Sequence, residues 1–304
     1  MGNITAGIYF ATYGHWCLAL QQAGYRVLWQ VQPDIRNPKY LDRFASKVLY
    51  TNFPNIPVYT PNKFNDKVDI IVGSPPCIGF SQGNPSSGPD HWANRNFIKC
   101  FEKIEELQPK YFLIEIVPRI LKIGQTTYKE ALSKVEDYNI NPHIFEISEY
   151  GVPAKRKRLY LFGSKEYLVN LLGTLPKRNL MPCSKILDKY AYSPQPDGKN
   201  LLSILKKDGT PKKGPFNNAL RKSRILDRNK PVFTITGMAF TDMRHPSGQR
   251  FLTIQEIADL MGFPAGYKYC TTSIGTKCRI IASGVDIRFT KLLLEHLRRN
   301  IIER

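Results

Sequence analysis

The sequence predicts an α/β protein in which a doubly wound, mostly parallel sheet is joined to a small basic region. Three observations lead there. Strand-like and helix-like apolar runs alternate through roughly the first 160 residues, the order that builds a parallel sheet covered on both faces. One run, Asp69-Ile70-Ile71-Val72-Gly73, leads into Pro75-Pro76-Cys77, a loop at a strand's carboxyl end, where open α/β sheets bind ligands. From Ser164 to Lys230 the periodicity fades into Lys, Pro, Gly and Asn, the composition of exposed basic turns.

In order, the first strand is expected over Ala6 to Phe10, with a turn at Ala11-Thr12-Tyr13-Gly14 and a helix from His15 to Ala23 carrying Trp16, Leu18, Ala19 and Leu20. A second strand runs Tyr25 to Val31, and the third leads to Cys77. A helix over Asn96 to Leu107 passes through Pro109 into the strand Tyr111 to Ile116. Another helix is expected over Lys129 to Tyr138, then a hairpin-like pair, His143 to Ser148 with Arg158 to Gly163. Thr253 to Met261 reads as a helix opened by a capping box, Thr253 with Glu256 three places on. Phe289 to Ile302 reads as the last helix.

The chain has 304 residues, with 44 Lys+Arg against 25 Asp+Glu and a net charge of +19. That excess suits a polyanion, with nucleic acid the leading candidate. No long apolar run, basic amphipathic helix or signal peptide is evident, so neither a membrane nor secretion is expected. The six cysteines, Cys17, Cys77, Cys100, Cys183, Cys270 and Cys278, form no Cys-x-x-Cys pair. This argues against a metal site and a disulfide framework, and for a reducing interior. Cys17 and Cys100, on apolar helical stretches, read as core residues.

Several segments together carry chemistry. Pro75-Pro76-Cys77 with Ile78-Gly79-Phe80-Ser81 holds a thiol in one place, because the prolines fix the backbone. Glu115 closes a strand at the same sheet edge and offers a carboxyl as proton donor. Tyr150-Gly151-Val152-Pro153-Ala154-Lys155-Arg156-Lys157-Arg158 puts Arg156 and Arg158 two apart on a strand, hence on one face. Arg228-Asn229-Lys230-Pro231-Val232-Phe233-Thr234, His245-Pro246, Arg250 to Glu256 and Met261-Gly262-Phe263-Pro264 follow. In this order the blocks resemble those of the cytosine-5 DNA methyltransferases.

The resemblance implies a Rossmann-like methyltransferase fold with a target-recognition domain. It also implies a reaction: Cys77 attacks carbon 6 of a flipped-out cytosine, Glu115 protonates nitrogen 3, and Arg156 and Arg158 border the base and favour the thiolate. S-adenosyl-L-methionine is the implied methyl donor, with Phe10, Thr12, Gly14, Gln32, Pro76 and Val285 at the cofactor-binding positions. Double-stranded DNA is the implied partner, bound by a monomer in the cytoplasm of a bacterial or phage-infected cell. The implied division is a catalytic part over 1–163, target recognition over 164–249 and a closing catalytic part over 250–304.

The departures concentrate on the cofactor side. The family's Phe-x-Gly-x-Gly-Gly aligns with Phe10-Ala11-Thr12-Tyr13-Gly14-His15, which keeps one glycine of three. The acid that ends the second strand aligns with Gln32, with Asp34 two places on; the aspartate expected near Tyr59-Thr60-Pro61 has no match. Gly-Asn-x-Val reads Gly284-Val285-Asp286-Ile287, and Glu-Asn-Val reads Glu115-Ile116-Val117. Two alternatives therefore stand beside the S-adenosylmethionine reading. One is a folate one-carbon donor such as methylene-tetrahydrofolate, giving hydroxymethylcytosine; the other is a non-catalytic DNA-binding paralogue. No Cys-Phe-Thr marks the recognition region, which favours DNA over transfer RNA.

Overall fold

The structure, a computed structural model, describes residues 4–34, 36, 42–61, 66–166, 170–190, 223–248 and 250–302. Contacts divide the chain into two units. The first comprises the chain to Glu146, Lys157–Pro176 and Gly284 onward; the second is Ile147–Arg156 with Lys177–Ser283.

The first unit holds a six-stranded sheet. Its strands are β1 (Thr5–Tyr9), β2 (Arg26–Val31), β3 (Ile70–Gly73), β4 (Tyr111–Ile116), β5 (Asn139–Glu146) and β6 (Lys157–Ser164), in spatial order β2-β1-β3-β4-β6-β5. The first four are parallel, and β6 runs antiparallel to both β4 and β5. β3 and β4 are buried along their whole length, as strands covered on both faces are. On the sheet lie α1 (His15–Gln22), α2 (Arg43–Asn52), α3 (Arg95–Leu107) and α4 (Gln125–Leu132). The last helix, Ile287–Ile302, packs along α1, and Tyr25 donates its hydroxyl to the Leu294 carbonyl at 3.0 Å.

Three details differ from the sequence expectation. α2 is capped by Asp42, whose carboxylate accepts the Phe44 and Ala45 N–H groups at 3.0 Å each; its mixed composition hid it. The helix expected over Lys129 to Tyr138 lies earlier, ending at Leu132. Val135 and Tyr138 are buried from a turn instead, with the Tyr138 hydroxyl on the Pro109 carbonyl at 2.5 Å. β5 consequently starts at Asn139 and includes Pro142, which an edge strand tolerates.

The second unit carries a short parallel pair, β7 (Arg224–Ile225) with β8 (Met243–Arg244), and two helices, α5 (Ile254–Leu260) and α6 (Ile274–Ala282). The capping box is present: the Thr253 hydroxyl accepts the Glu256 N–H at 3.2 Å, and the Glu256 carboxylate accepts the Thr253 N–H at 2.8 Å. Glu256 is fully buried and takes two hydrogen bonds of 2.7 Å from Arg250. The unit boundaries differ from the expected 164–249, because α5 packs within this unit. Tyr190 donates to Asp259 at 2.5 Å, and Arg250 donates to the Tyr190 carbonyl at 3.3 Å. The Gly151-Val152-Pro153 segment belongs here too, through the Val232 N–H on Pro153 and the Lys155 N–H on Val232, each at 2.8 Å. The basic turns Lys206-Lys207 and Lys212-Lys213 lie outside the described residues.

Candidate active site

β3 pairs with β4 so that Gly73 lies opposite Ile114. Glu115 is therefore one residue past the end of that register, on the carboxyl edge where β3 passes into Ser74-Pro75-Pro76-Cys77. Trp16 of α1 donates to the Ser74 hydroxyl at 2.8 Å, which fixes the start of this loop. Pro76 and Cys77 are half-buried, and the Cys77 carbonyl accepts the Phe80 N–H at 2.9 Å in a tight turn. Phe80 is fully buried in the main core and half-buried Cys77 packs against the same core, so the turn is pinned from below.

Four of the other cysteines are held as thiols by burial. Burial pushes the thiols of Cys17 and Cys100 far up, that of Cys183 up to about 11 and that of Cys278 upward, and a thiol held protonated does not attack. No disulfide joins any of the six.

Glu115 is almost fully buried and faces Arg158, whose Nε lies 2.6 Å from its Oε1. The contact is ionic without hydrogen-bond geometry at Oε1. Arg158 spends Nη1 on the Lys157 carbonyl at 2.7 Å. The antiparallel register, with Glu115 opposite Tyr160, explains why these two side chains meet. The acid thus stands against a guanidinium rather than alone.

Arg156 requires a correction. β6 begins at Lys157, so Arg156 precedes the strand and falls in the second unit, where its Nη1 reaches the Ala282 carbonyl at 3.2 Å. The inward alternation survives, with Arg156 and Arg158 turned in and Lys157 exposed.

On the cofactor side, the turn after β1 keeps a glycine-like bend with few glycines. Phe10, Thr12 and Gly14 take φ of 60°, 54° and 87°. A left-handed conformation costs a non-glycine residue roughly 1–2 kcal/mol, and Thr12 is held in it from three sides. Its N–H donates to Gln32 Oε1 at 2.6 Å, its hydroxyl donates to the Ala11 carbonyl at 2.7 Å, and the same oxygen lies 3.2 Å from His15 Nδ1. Gln32 is thus tied to the turn, with its Nε2 on the Pro33 carbonyl at 3.2 Å. Val285 is buried beside Gly284, where a Cβ would stand 2.3 Å from the His15 ring. His15 therefore brings the Thr12 turn and the Gly284-Val285 segment together. This main-chain bend, at the head of α1, fits a ligand approaching closely. The carboxylate expected for a ribose is absent at Gln32, and Asp34, half-buried at the same edge, is the nearest acid along the chain.

Residues 9–299 match the family described as C-5 cytosine-specific DNA methylase. The chain belongs to this family. Its members transfer a methyl group from S-adenosyl-L-methionine to carbon 5 of cytosine in DNA, so this is the function and the donor, in preference to folate. Among relatives, the type II methyltransferase M1.HphI of Haemophilus parahaemolyticus is 26% identical, over 89% of this chain and 80% of its own length. M.MthTI of Methanothermobacter thermautotrophicus is 23% identical over 79% and 81%. The fold is shared with an E. coli prophage protein described as a DNA modification methyltransferase (TM-score 0.73, 21% identity, 99% of this chain and 100% of that one). It is also shared with the Entamoeba histolytica methyltransferase EhMeth (0.70, 15%, 99% of each).

The sequence reading missed Asn94 and Arg119, which tie the Cys77 loop. The signal available was a cation four residues after the acid, just beyond the apolar strand. Among the described residues, no cluster of His, Cys, Asp and Glu could hold a metal, and no helix is long and apolar enough to cross a membrane.

Proposed function

We propose that Cys77 is the nucleophile and Glu115 the acid of this methyl transfer. The Cys77 thiolate bonds to carbon 6 of a cytosine drawn out of the duplex, while Glu115 gives its proton to nitrogen 3, which makes carbon 5 nucleophilic. S-adenosyl-L-methionine, when bound, would supply the methyl group that carbon 5 takes, its sulfonium becoming a neutral thioether. A base then removes the carbon-5 proton, the Cys77 sulfur departs with its electron pair, and nitrogen 3 returns its proton. Arg158 holds the Glu115 carboxyl in place, and Arg156 takes the family's role of bordering the base. The donor is held by the Phe10–Gly14 turn, Gln32, Pro76 and Val285.

The observation that carries this reading is the shared carboxyl edge of β3 and β4. It presents a half-buried thiol on a pinned turn and a buried, arginine-paired acid on adjacent parallel strands. Double-stranded DNA is the substrate and the basic second unit the reader, with phosphate contacts by its lysines adding affinity rather than specificity. The protein works as a monomer in the cytoplasm of a bacterial or phage-infected cell, a reading supported by relatives that are bacterial and archaeal type II methyltransferases. Incubation with S-adenosyl-L-methionine and DNA containing 5-fluorocytosine tests the assignment. The fluorine cannot leave as a cation, so the adduct should accumulate with its sulfur bond at Cys77. An adduct mapped to another residue would refute the assignment.

A further inference from the structure

The loop that follows Cys77 is tied together more heavily than a surface connection needs. Asn94, 4% exposed, donates through Nδ2 to the Gly88 and Pro89 carbonyls at 2.9 and 2.7 Å. Its Oδ1 presses on Gly79, where a Cβ would come within 1.9 Å. The Gly88 N–H donates to the Gly79 carbonyl at 3.0 Å, and Asn84 Nδ2 donates to the Ile78 carbonyl at 3.0 Å. These bonds stay within the loop and its own helix entry. One tie comes from elsewhere. Arg119 donates through Nη1 to the Ser81 carbonyl at 3.2 Å and the Ser87 hydroxyl at 2.7 Å. It stands four residues after Glu115, in the turn that leaves β4.

We propose that Arg119 is a positioning residue that clamps the Cys77 loop to the segment carrying Glu115, so that thiol and acid are set by one joint. A guanidinium is suited to this because it is always charged and bridges two acceptors from a fixed plane. The side chain is half-buried, which shields the bonds in part from water. On the opposite side of the loop no second cation is required, since Phe80 already fixes the turn in the core. Without the clamp the stretch Ser81–Ser87 keeps its internal turns and the Asn84 bond to Ile78, all within the loop, and the thiol loses its reference to the acid. The inference rests on the reading of Cys77 as nucleophile.

The test compares Arg119→Met, Arg119→Lys and Ser87→Ala with the parent protein. Three quantities are read: the rate of adduct formation on 5-fluorocytosine DNA, the DNA dissociation constant, and chymotrypsin cleavage within the loop after Phe80 or at the exposed Trp92. Arg119→Met should slow adduct formation at least tenfold, leave the DNA dissociation constant within twofold, and speed cleavage after Phe80. Arg119→Lys should recover part of the rate. Ser87→Ala should move rate and cleavage in the same direction by less, and it serves as the second variant if Arg119→Met lowers Tm markedly. An unchanged adduct rate with an equally protected loop would overturn the proposal. So would a slowed rate with protection unchanged, since Arg119 would then act on substrate directly. Failure of the nucleophile reading would look different: the parent protein would form no Cys77 adduct, while loop protection would still respond to Arg119.

Discussion

At the scale of single residues, the active edge works by pairing each reactive group with something that limits its freedom. Cys77 sits on a turn pinned by Phe80, and Glu115 faces Arg158. A thiol can add to carbon 6 only as fast as nitrogen 3 is protonated, so removing the proton donor should cost rate more than binding. Glu115→Gln is expected to lower kcat by about 10²–10⁴ while the KM for DNA changes little, as steady-state kinetics would show. The places of Cys77 and Glu115 at one sheet edge were legible in the sequence because strand ends and a Pro-Cys loop declare themselves locally, while the roles proposed for them come from the family resemblance. Arg119 and Asn94 were not, since their roles depend on which loop the fold lays beside them. Nor was the posture of Gln32, whose amide serves Thr12 and compensates a left-handed residue that is not glycine.

At the scale of elements, strand order and register do most of the positioning. β1, β3 and β4 are adjacent and parallel, so three loops with separate tasks open on one edge. Apolar runs made β1 to β4 readable, and capping chemistry made α5 readable. α2 and α6 were missed because their apolar stripes are short and their caps, Asp42 and Ser273, do not announce a helix on their own. Arg156 was assigned to a strand because alternation continues across the boundary, although the ladder stops at Lys157. The Gly284 turn shows how tightly the cofactor side is packed. Gly284→Ala would press a methyl group into the His15 ring and should destabilise the protein by about 1–3 kcal/mol, measured by urea unfolding. An unchanged midpoint would mean that His15 moves freely, and that the contact does not organise the turn.

At the scale of the whole molecule, charge and buried titratable groups set the working conditions. The excess of +19 concerns affinity for a polyanion and says nothing of the fold. Two histidines, one in each unit, are held below their ordinary pKa. Burial lowers His245, with Arg250 adding repulsion and Glu256 opposing it; burial likewise lowers His296, whose Nε2 lies 3.1 Å from the Leu171 carbonyl. Below about pH 6.5 the unfolded chain takes up these protons before the folded one does. Stability should therefore be complete above that pH and decline as pH falls through the depressed folded values. Tm followed from pH 8 to pH 5 at constant ionic strength should fall, and replacing both histidines with glutamine should flatten the slope. The division into units was legible only in part. The change of character after Ser164 was visible from composition, but that 250–283 packs with Tyr190, through Arg250 on its carbonyl and Asp259 on its hydroxyl, depends on long-range contacts that no local pattern encodes.

Mass spectrometry of nucleosides from DNA incubated with the protein and S-adenosyl-L-methionine shows whether this chain methylates cytosine in DNA through Cys77. 5-Methylcytosine is expected with the parent protein and none with Cys77→Ala at equal DNA binding. 5-Methylcytosine formed equally well by Cys77→Ala, or none formed by the parent protein, would contradict this reading.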